Sequence, residues 1–327
     1  MLMNIAEILL KSLVLILVLM GAAAYMTFLE RVVMARMQLR LGPNRVGPLG
    51  LLQPIADGIK LLCKESFQPF GVDKFTYWLA PSLSLFLALF AFVVIPFGST
   101  IHLWGHPVTL LIADINAGIV FLLAVSSLSV YGVVLAGWSS NNRYSLLGGL
   151  RGTAQMISYE IPMGLSLLTI SLSAGTLNLS EIVEAQSSHW FIWTNPLSFI
   201  IYLITAFAET NRAPFDLPEA EQELTAGYHT EYSGMKFAMF FLAEYVNILA
   251  VSSIAVTLFL GGWLGPGNIP VVWFVLKVAL FVFLFMWVRA TMPRFRYDQL
   301  MSFGWKILLP LATLNFLITA FFILVIR

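Results

Sequence analysis

The sequence predicts an all-α polytopic membrane protein with eight transmembrane helices and both termini outside. Three observations carry that prediction. Of 327 residues, 59% are hydrophobic and only 11% charged, with a mean hydropathy of +0.86. A soluble domain carries roughly 25% charged residues, so this chain cannot cover itself with a water-facing surface. Eight apolar runs approach the ~20 residues that cross the hydrocarbon core, and each is continuous rather than alternating, which favours helices over barrel strands. Finally, the loops sort their basic residues, 15 on one side of the membrane and none on the other.

The first span covers about Ile5–Leu29, longer than the apolar region of a cleavable signal peptide. It leads into a loop with Arg31, Arg36, Arg40, Arg45, Lys60, Lys64 and Lys74. Within that loop, about 51–65, Gln53, Asp57, Lys60 and Lys64 recur at helical spacing against Leu51, Leu52, Ile55, Ile59 and Leu62. This pattern is an amphipathic surface helix, with Gly42-Pro43-Asn44 as a turn before it. It serves either as a plain anchor or as the wall of a path for an amphipathic ligand arriving from lipid. The second span, about Trp78–Phe97, is followed by His102 and His106. They stand four apart, but Gly105 and Pro107 argue against a helix there, so no metal pair is expected.

Spans three and four, about Ile115–Trp138 and Ala154–Gly175, flank a loop with Arg143 and Arg151. Spans five and six, about Phe191–Ala208 and Phe237–Leu264, flank a charged loop of about 209–236 with Arg212 and Lys236. Spans seven and eight, about Val271–Val288 and Ile307–Ile326, flank Arg289, Arg294, Arg296 and Lys306. The second, fourth and sixth loops contain neither Lys nor Arg, which makes the odd loops cytoplasmic. No internal repeat or low-complexity linker divides the chain, so it is read as a single membrane domain, 1–327, without the inverted-repeat signature of many transporters.

Charge near lipid is costly and is usually retained for function. The segment Ala208–Leu224 holds six ionisable residues, five of them acidic: Glu209, Arg212, Asp216, Glu219, Glu221 and Glu223. Within the spans, Glu160 lies about six residues, roughly 9 Å, from the cytoplasmic end of its helix. Glu244 lies at similar depth, Glu209 ends the fifth span on the same side, and no basic residue within a span is expected at that level. Carboxylates without a cation in low dielectric hold protons near neutral pH, so the three suit a proton path; the plainer alternative is neutral acids that help helices pack. Pro162 follows Glu160 closely and frees a backbone carbonyl beside it. Lys277 enters from the opposite side, either ending that path or snorkelling outward. Glu7 and Lys11 lie near the end of the first span, and His229 in the acidic loop is a candidate proton donor.

Other chemistries are excluded. The lone Cys63 forbids an internal disulfide and any cysteine-only metal or iron–sulfur centre. No dinucleotide-binding glycine fingerprint or phosphate loop is present. The 18 basic residues are distributed by topology rather than gathered on a face, so nucleic acid is not an expected partner.

Several motifs together resemble a known family. The run Phe28-Leu29-Glu30-Arg31, then Gln38-Leu39-Arg40-Leu41-Gly42-Pro43-Asn44-Arg45-Val46-Gly47-Pro48, resembles the first cytoplasmic loop of the quinone-site membrane subunit of NADH–quinone oxidoreductase, respiratory complex I. That family comprises the mitochondrial subunit 1 and the bacterial H subunit. Leu52–Lys60, Ser158-Tyr159-Glu160, Glu209–Glu223, Glu231-Tyr232, Ala243-Glu244-Tyr245 and Arg294–Leu300 are similar to its other hallmarks, in the same order. Gly137–Ser145 looks closer to bacterial members, which implies a bacterial inner membrane.

The resemblance implies a division of labour. Quinone is the substrate, FMN and iron–sulfur clusters belong to partner subunits only, and partners include the peripheral quinone-site subunits and neighbouring membrane subunits. The first span and surface helix are implied to form the tunnel entrance, with Glu30, Arg31, Asp57 and Lys60 near its mouth. Glu160, Glu209 and Glu244 are implied to form the proton path. Asp216, Glu219, Glu221 and Glu223 are implied to be the coupling loop, where a reduced head would repel carboxylates and shift their protonation. Arg40, Arg45, Arg294 and Arg296 are implied to hold partner subunits or those carboxylates. Two rivals stand beside this reading: the membrane subunit of an energy-converting hydrogenase, and a stand-alone ion transporter. The full first-loop motif argues against the former and the missing inverted repeat against the latter.

Overall fold

The computed structural model describes residues 2–99, 101–103, 106–218, 225–267 and 269–326. The first helix, α1 (Leu2–Met37), continues well past the predicted end of the first span. Its 36 residues reach about 54 Å at 1.5 Å per residue, more than the ~30 Å hydrocarbon core needs. Arg31 and Arg36 therefore sit on helix rather than in a loop. A short turn, Pro48–Gly50, leads into α2 (Gln53–Cys63), the expected surface helix, with Pro54 in its first turn where a missing N–H costs nothing. Asp73 then caps α3 (Lys74–Phe90), accepting from the Phe75 amide at 3.3 Å.

Where the sequence argues against a helix around His102 and His106, a two-stranded hairpin stands instead. β1 (Ile101–Leu103) pairs antiparallel with β2 (His106–Val108), His102 opposite Pro107. After it come α4 (Gly118–Ser139) and α5 (Arg143–Ala174). Hydropathy starts the fourth span at Ala154, but α5 begins at Arg143. The glycines and arginines of 143–152 lower the apolar signal there, yet the glycines are what the packing needs. A Cβ on Gly148 would lie 2.7 Å from Gly227 Cα, and one on Gly137 of α4 would lie 2.7 Å from Ser145 O. Backbones touch at these points, which excludes any side chain.

Two short helices follow, α6 (Leu179–Ala185), capped by Asn178, and α7 (Phe191–Thr194). Then comes α8 (Pro196–Glu209). Hydropathy predicts the fifth span as one helix over Phe191–Ala208; it is broken at Asn195-Pro196, where proline excludes the preceding residue from helical geometry. Fourteen residues make α8 about 21 Å long, short of the core thickness. A single tight turn, Gly227–His229, precedes α9 (Gly234–Phe259), which is followed by α10 (Pro270–Thr291). The last helical stretch runs from α11 (Tyr297–Phe303) through one π-helical turn, Gly304–Leu308, into α12 (Leu309–Ile326). Among the described residues seven helices are long and apolar enough to cross a membrane, with α8 a shorter apolar eighth.

Five helices close on one another: α3 packs on α4, α4 on α5, α5 on α8, α8 on α9, and α9 back on α3. Outside this ring α1 and α10 lie on α9, and α12 lies on α5 and α8. The ring helices carry buried polar side chains, including Gln155, Thr205, Glu209 and Ser252, whereas α12 turns Leu317, Phe321, Phe322 and Leu324 outward. Polar chemistry is thus concentrated in the ring and at its border with α1 and α10.

Lys277 does not snorkel. It is 8% exposed, and its ammonium caps the C-terminal end of α9, donating to the carbonyls of Leu260 (2.7 Å), Gly262 (3.0 Å) and Leu264 (2.7 Å). It also lies 4.8 Å from the Trp190 ring centroid. Lys277→Met is expected to destabilise by about 3 kcal/mol, because three carbonyls lose their donor. The check is faster hydrogen exchange at 260–264 with an unchanged proton-to-electron ratio in the assembled membrane protein.

Candidate functional site

After α8 the chain reverses at Asn211, whose φ of 51° is one that asparagine tolerates. The reversal sends Arg212 back into the bundle, where it is 5% exposed. Its Nε lies 2.8 Å from Glu244 Oε1 on α9, its Nη1 3.6 Å from Glu30 Oε1 on α1, and its guanidinium carbon 4.5 Å from the Tyr245 ring centroid. Glu30 also pairs with Arg289 of α10 and accepts a 2.7 Å hydrogen bond from the Tyr245 hydroxyl. Two carboxylates and two guanidiniums from four segments thus balance one another in an apolar setting formed by Met26, Ile248, Val282 and Phe285. Burial of this kind persists only when charges are paired.

This geometry corrects two expectations. By sequence Glu244 is an acid with no cation at its depth, but Arg212, expected in the loop, supplies one. Glu30 is expected beside Arg31, Asp57 and Lys60, but neighbours on a helix point about 100° apart. Glu30 is 4% exposed and faces inward, while Arg31 faces outward and pairs with Asp57 of α2 at 2.7 Å. Gln53 adds a 3.1 Å hydrogen bond to Asp57. The polar edge of α2 therefore docks on α1, and Leu51, Leu52, Ile55, Ile59 and Leu62 are left exposed together with Lys60.

The other two carboxylates belong to the ring. The Ser127 hydroxyl of α4 donates to Glu160. Glu209, 9% exposed, lines a cleft inside the ring. The cleft has mainly apolar walls, Leu87, Leu122, Met163 and Val251 among them, with Ser126, Ser129 and Asn247 as polar interruptions. Glu209 Oε2 has no hydrogen-bond partner among the described residues. Glu160 lies within electrostatic reach of Glu209, and Asp216 within reach of Glu244. Pro162 sits inside α5 without ending it. One turn earlier, the Tyr159 hydroxyl donates to Leu300 O at 2.8 Å, and Gly304 of the π turn packs against its ring.

The remaining expected residues divide. Arg40 and Arg45 are exposed, and Arg296 pairs with Asp298 at 3.3 Å on the surface. Arg294 is partly buried and donates to the Asp216 carbonyl, so it holds the loop backbone within this chain. His229 is buried among Tyr228, Phe237 and Phe241, and burial lowers its pKa to about 4. It is neutral at pH 7. Glu219, Glu221 and Glu223 lie outside the described residues. Glu7 and Lys11 pair with each other at 2.8 Å.

Sequence reasoning gives no role to Arg212, Arg289, Tyr245 or Ser127. The two arginines count there with the cytoplasmic loops, because charge sorting reports topology and not whether a chain folds back. Tyr245 carries a signal in its place beside Glu244; Ser127 is one of many serines on apolar helices and carries none.

Fold and site together define a class: a multi-pass helical membrane protein with paired and protonatable charge inside its bundle. Residues 10–320 match the model of the family described as NADH dehydrogenase, and the chain belongs to that family. It is 77% identical over 304 residues to the NADH-quinone oxidoreductase H subunit of Protochlamydia amoebophila, covering 93% of this chain and 94% of that one. The NADH-quinone oxidoreductase H subunit 1 of Geobacter metallireducens is 53% identical over 322 residues, 98% of each chain. The corresponding H subunit of Thermomicrobium roseum is 55% identical over 312 residues, 92% of each.

Proposed function

We propose that this chain works as a membrane subunit of NADH–quinone oxidoreductase, forming the membrane part of the quinone path and coupling quinone reduction to proton translocation through buried carboxylates. The observation that carries this reading is the placement of Glu160 and Glu209 in the ring beside the Glu30–Arg212–Glu244–Arg289 cluster. Arg212 and Glu209 are three residues apart in one segment, so a change of charge at the cluster acts on the same backbone that holds Glu209. Apolar walls beside the cluster and the exposed apolar face of α2 suit an isoprenoid tail. The paired guanidiniums can answer a carboxylate that gains or loses its proton. Asp216 continues toward the coupling loop with Glu219, Glu221 and Glu223.

In this reading the chain is one membrane domain that crosses eight times, α8 with α7 completing the fifth crossing, and both termini lie outside. Its odd loops face the cytoplasm across a bacterial inner membrane. Arg31, Asp57 and Lys60 border the tunnel mouth, and exposed Arg40, Arg45 and Arg296 meet peripheral subunits. Those subunits bear the FMN and iron–sulfur clusters.

The test is Glu160→Ala. It removes a ring carboxylate held by one serine hydroxyl, so assembly should persist while proton pumping and quinone reductase activity both fall, about tenfold for loss of a proton-transfer group in a coupled step. Proton uptake and quinol formation in membrane vesicles check it. Normal coupled activity would remove Glu160 from the path.

A further inference from the structure

Gln155 of α5 lies outside the charged cluster and is fully buried, yet its amide grips both ends of the segment between Glu209 and Asp216. Its Nε2 donates to Ala208 O at 2.8 Å and to Phe215 O at 2.7 Å, with Asn211 Oδ1 at 3.4 Å. An amide nitrogen has two hydrogens, and both go to this one segment. Ala208 directly precedes Glu209, and Phe215 directly precedes Asp216. Arg212 lies between the two anchored carbonyls. The same stretch is held from its other side, where Phe295 N donates to Pro214 O at 3.3 Å and the Phe295 ring stacks on Phe215 with centroids 5.7 Å apart. Gln155 reaches the helix end and the loop at once.

We infer that Gln155 is a positioning residue: it makes 208–215 a rigid bridge, so that Arg212 in the charged cluster and Glu209 in the ring cleft move together or not at all. The inference rests on the proposed proton path and goes beyond it by naming the group that ties the two sites. Glutamine suits the task because it is neutral and brings two donors. An aliphatic residue of the same length fills the space and removes the side-chain tie across the segment, leaving Ala208 O the 3.4 Å bond from Asn211 N and Phe215 O the 3.1 Å bond from Leu217 N, both local to the turn. Each net hydrogen bond lost biases a local equilibrium by roughly fivefold. The segment would then sample positions in which the Arg212–Glu244 pair and Glu209 are out of step.

The test is Gln155→Met in the intact complex, which keeps volume and removes both donors. Flavin-site activity with an artificial electron acceptor reports assembly. The decisive readout is the number of protons moved per electron reaching quinone, which a general loss of stability does not alter in the complexes that remain. We expect flavin-site activity to be retained and the proton-to-electron ratio to fall about twofold or more. A wild-type ratio in assembled Gln155→Met overturns the inference. If that variant does not assemble, Gln155→Asn decides. Its amide is one methylene shorter and keeps one bond at most, so the ratio must again fall, and a wild-type ratio overturns the inference. Glu209→Gln measured alongside separates the two readings. Normal pumping in Gln155→Met with loss in Glu209→Gln sinks only the positioning role, whereas normal pumping in both sinks the path as well.

Discussion

Arg212→Met is expected to cost about 3–5 kcal/mol, the usual penalty for removing one partner of a buried ion pair. The loss falls unequally on its two carboxylates. Glu30 keeps Arg289 and the Tyr245 hydroxyl, whereas Glu244 loses the guanidinium 2.8 Å away. A single uncompensated buried charge should therefore explain most of the defect. Little assembled complex should be recovered from the single variant, and Arg212→Met with Glu244→Gln should restore much of it, because the amide removes the stranded charge. Native gels and the thermal midpoint of the purified complex measure both. Equal assembly in the single and double variants would show that Glu244 is not the group Arg212 neutralises. Lysine is a poor substitute here, since a point charge cannot meet two carboxylates and an aromatic face at once.

Glu209→Gln has the second large effect, and it falls on function rather than folding. Glutamine matches glutamate in size and is neutral, so the ring should keep its packing. It cannot take up or release a proton. Glu209 lines the cleft within electrostatic reach of Glu160, with Oε2 free of hydrogen bonds among the described residues. Proton translocation should fall by about tenfold or more, the scale of a lost proton-transfer group. Quinone reduction should slow with it wherever the two are obligatorily coupled. An intact flavin-site activity would show that the complex is assembled and that the loss lies in the membrane.

The long apolar runs are legible because a membrane helix needs length and hydropathy more than any particular residue. That signal also misplaces what depends on local detail. It breaks off at Ala154, since Gly148, Gly149, Gly152 and the arginines around them dilute hydropathy where α5 in fact packs most closely. It runs through Asn195-Pro196, although that dipeptide is a turn signal, because the flanking residues are apolar. The carboxylates of the site are found by the cost of charge in lipid, which singles out Glu160, Glu209 and Glu244 without reference to contacts. Their cations are not. Arg212 returns to the bundle through a reversal at Asn211, and Arg289 sits at the end of a helix that outlasts its hydropathy. Gln155 is invisible for a different reason: a neutral side chain inside a helix has meaning only through the two carbonyls it reaches.

The most direct measurement follows proton release and quinol formation at once, in sealed vesicles holding the complex with Glu209→Gln, against wild type and against Lys277→Met. Lys277→Met is expected to keep the wild-type proton-to-electron ratio, while Glu209→Gln loses translocation with its flavin-site activity intact. A wild-type ratio in assembled Glu209→Gln would contradict it, since the buried carboxylates would then be packing elements and the protons would cross elsewhere.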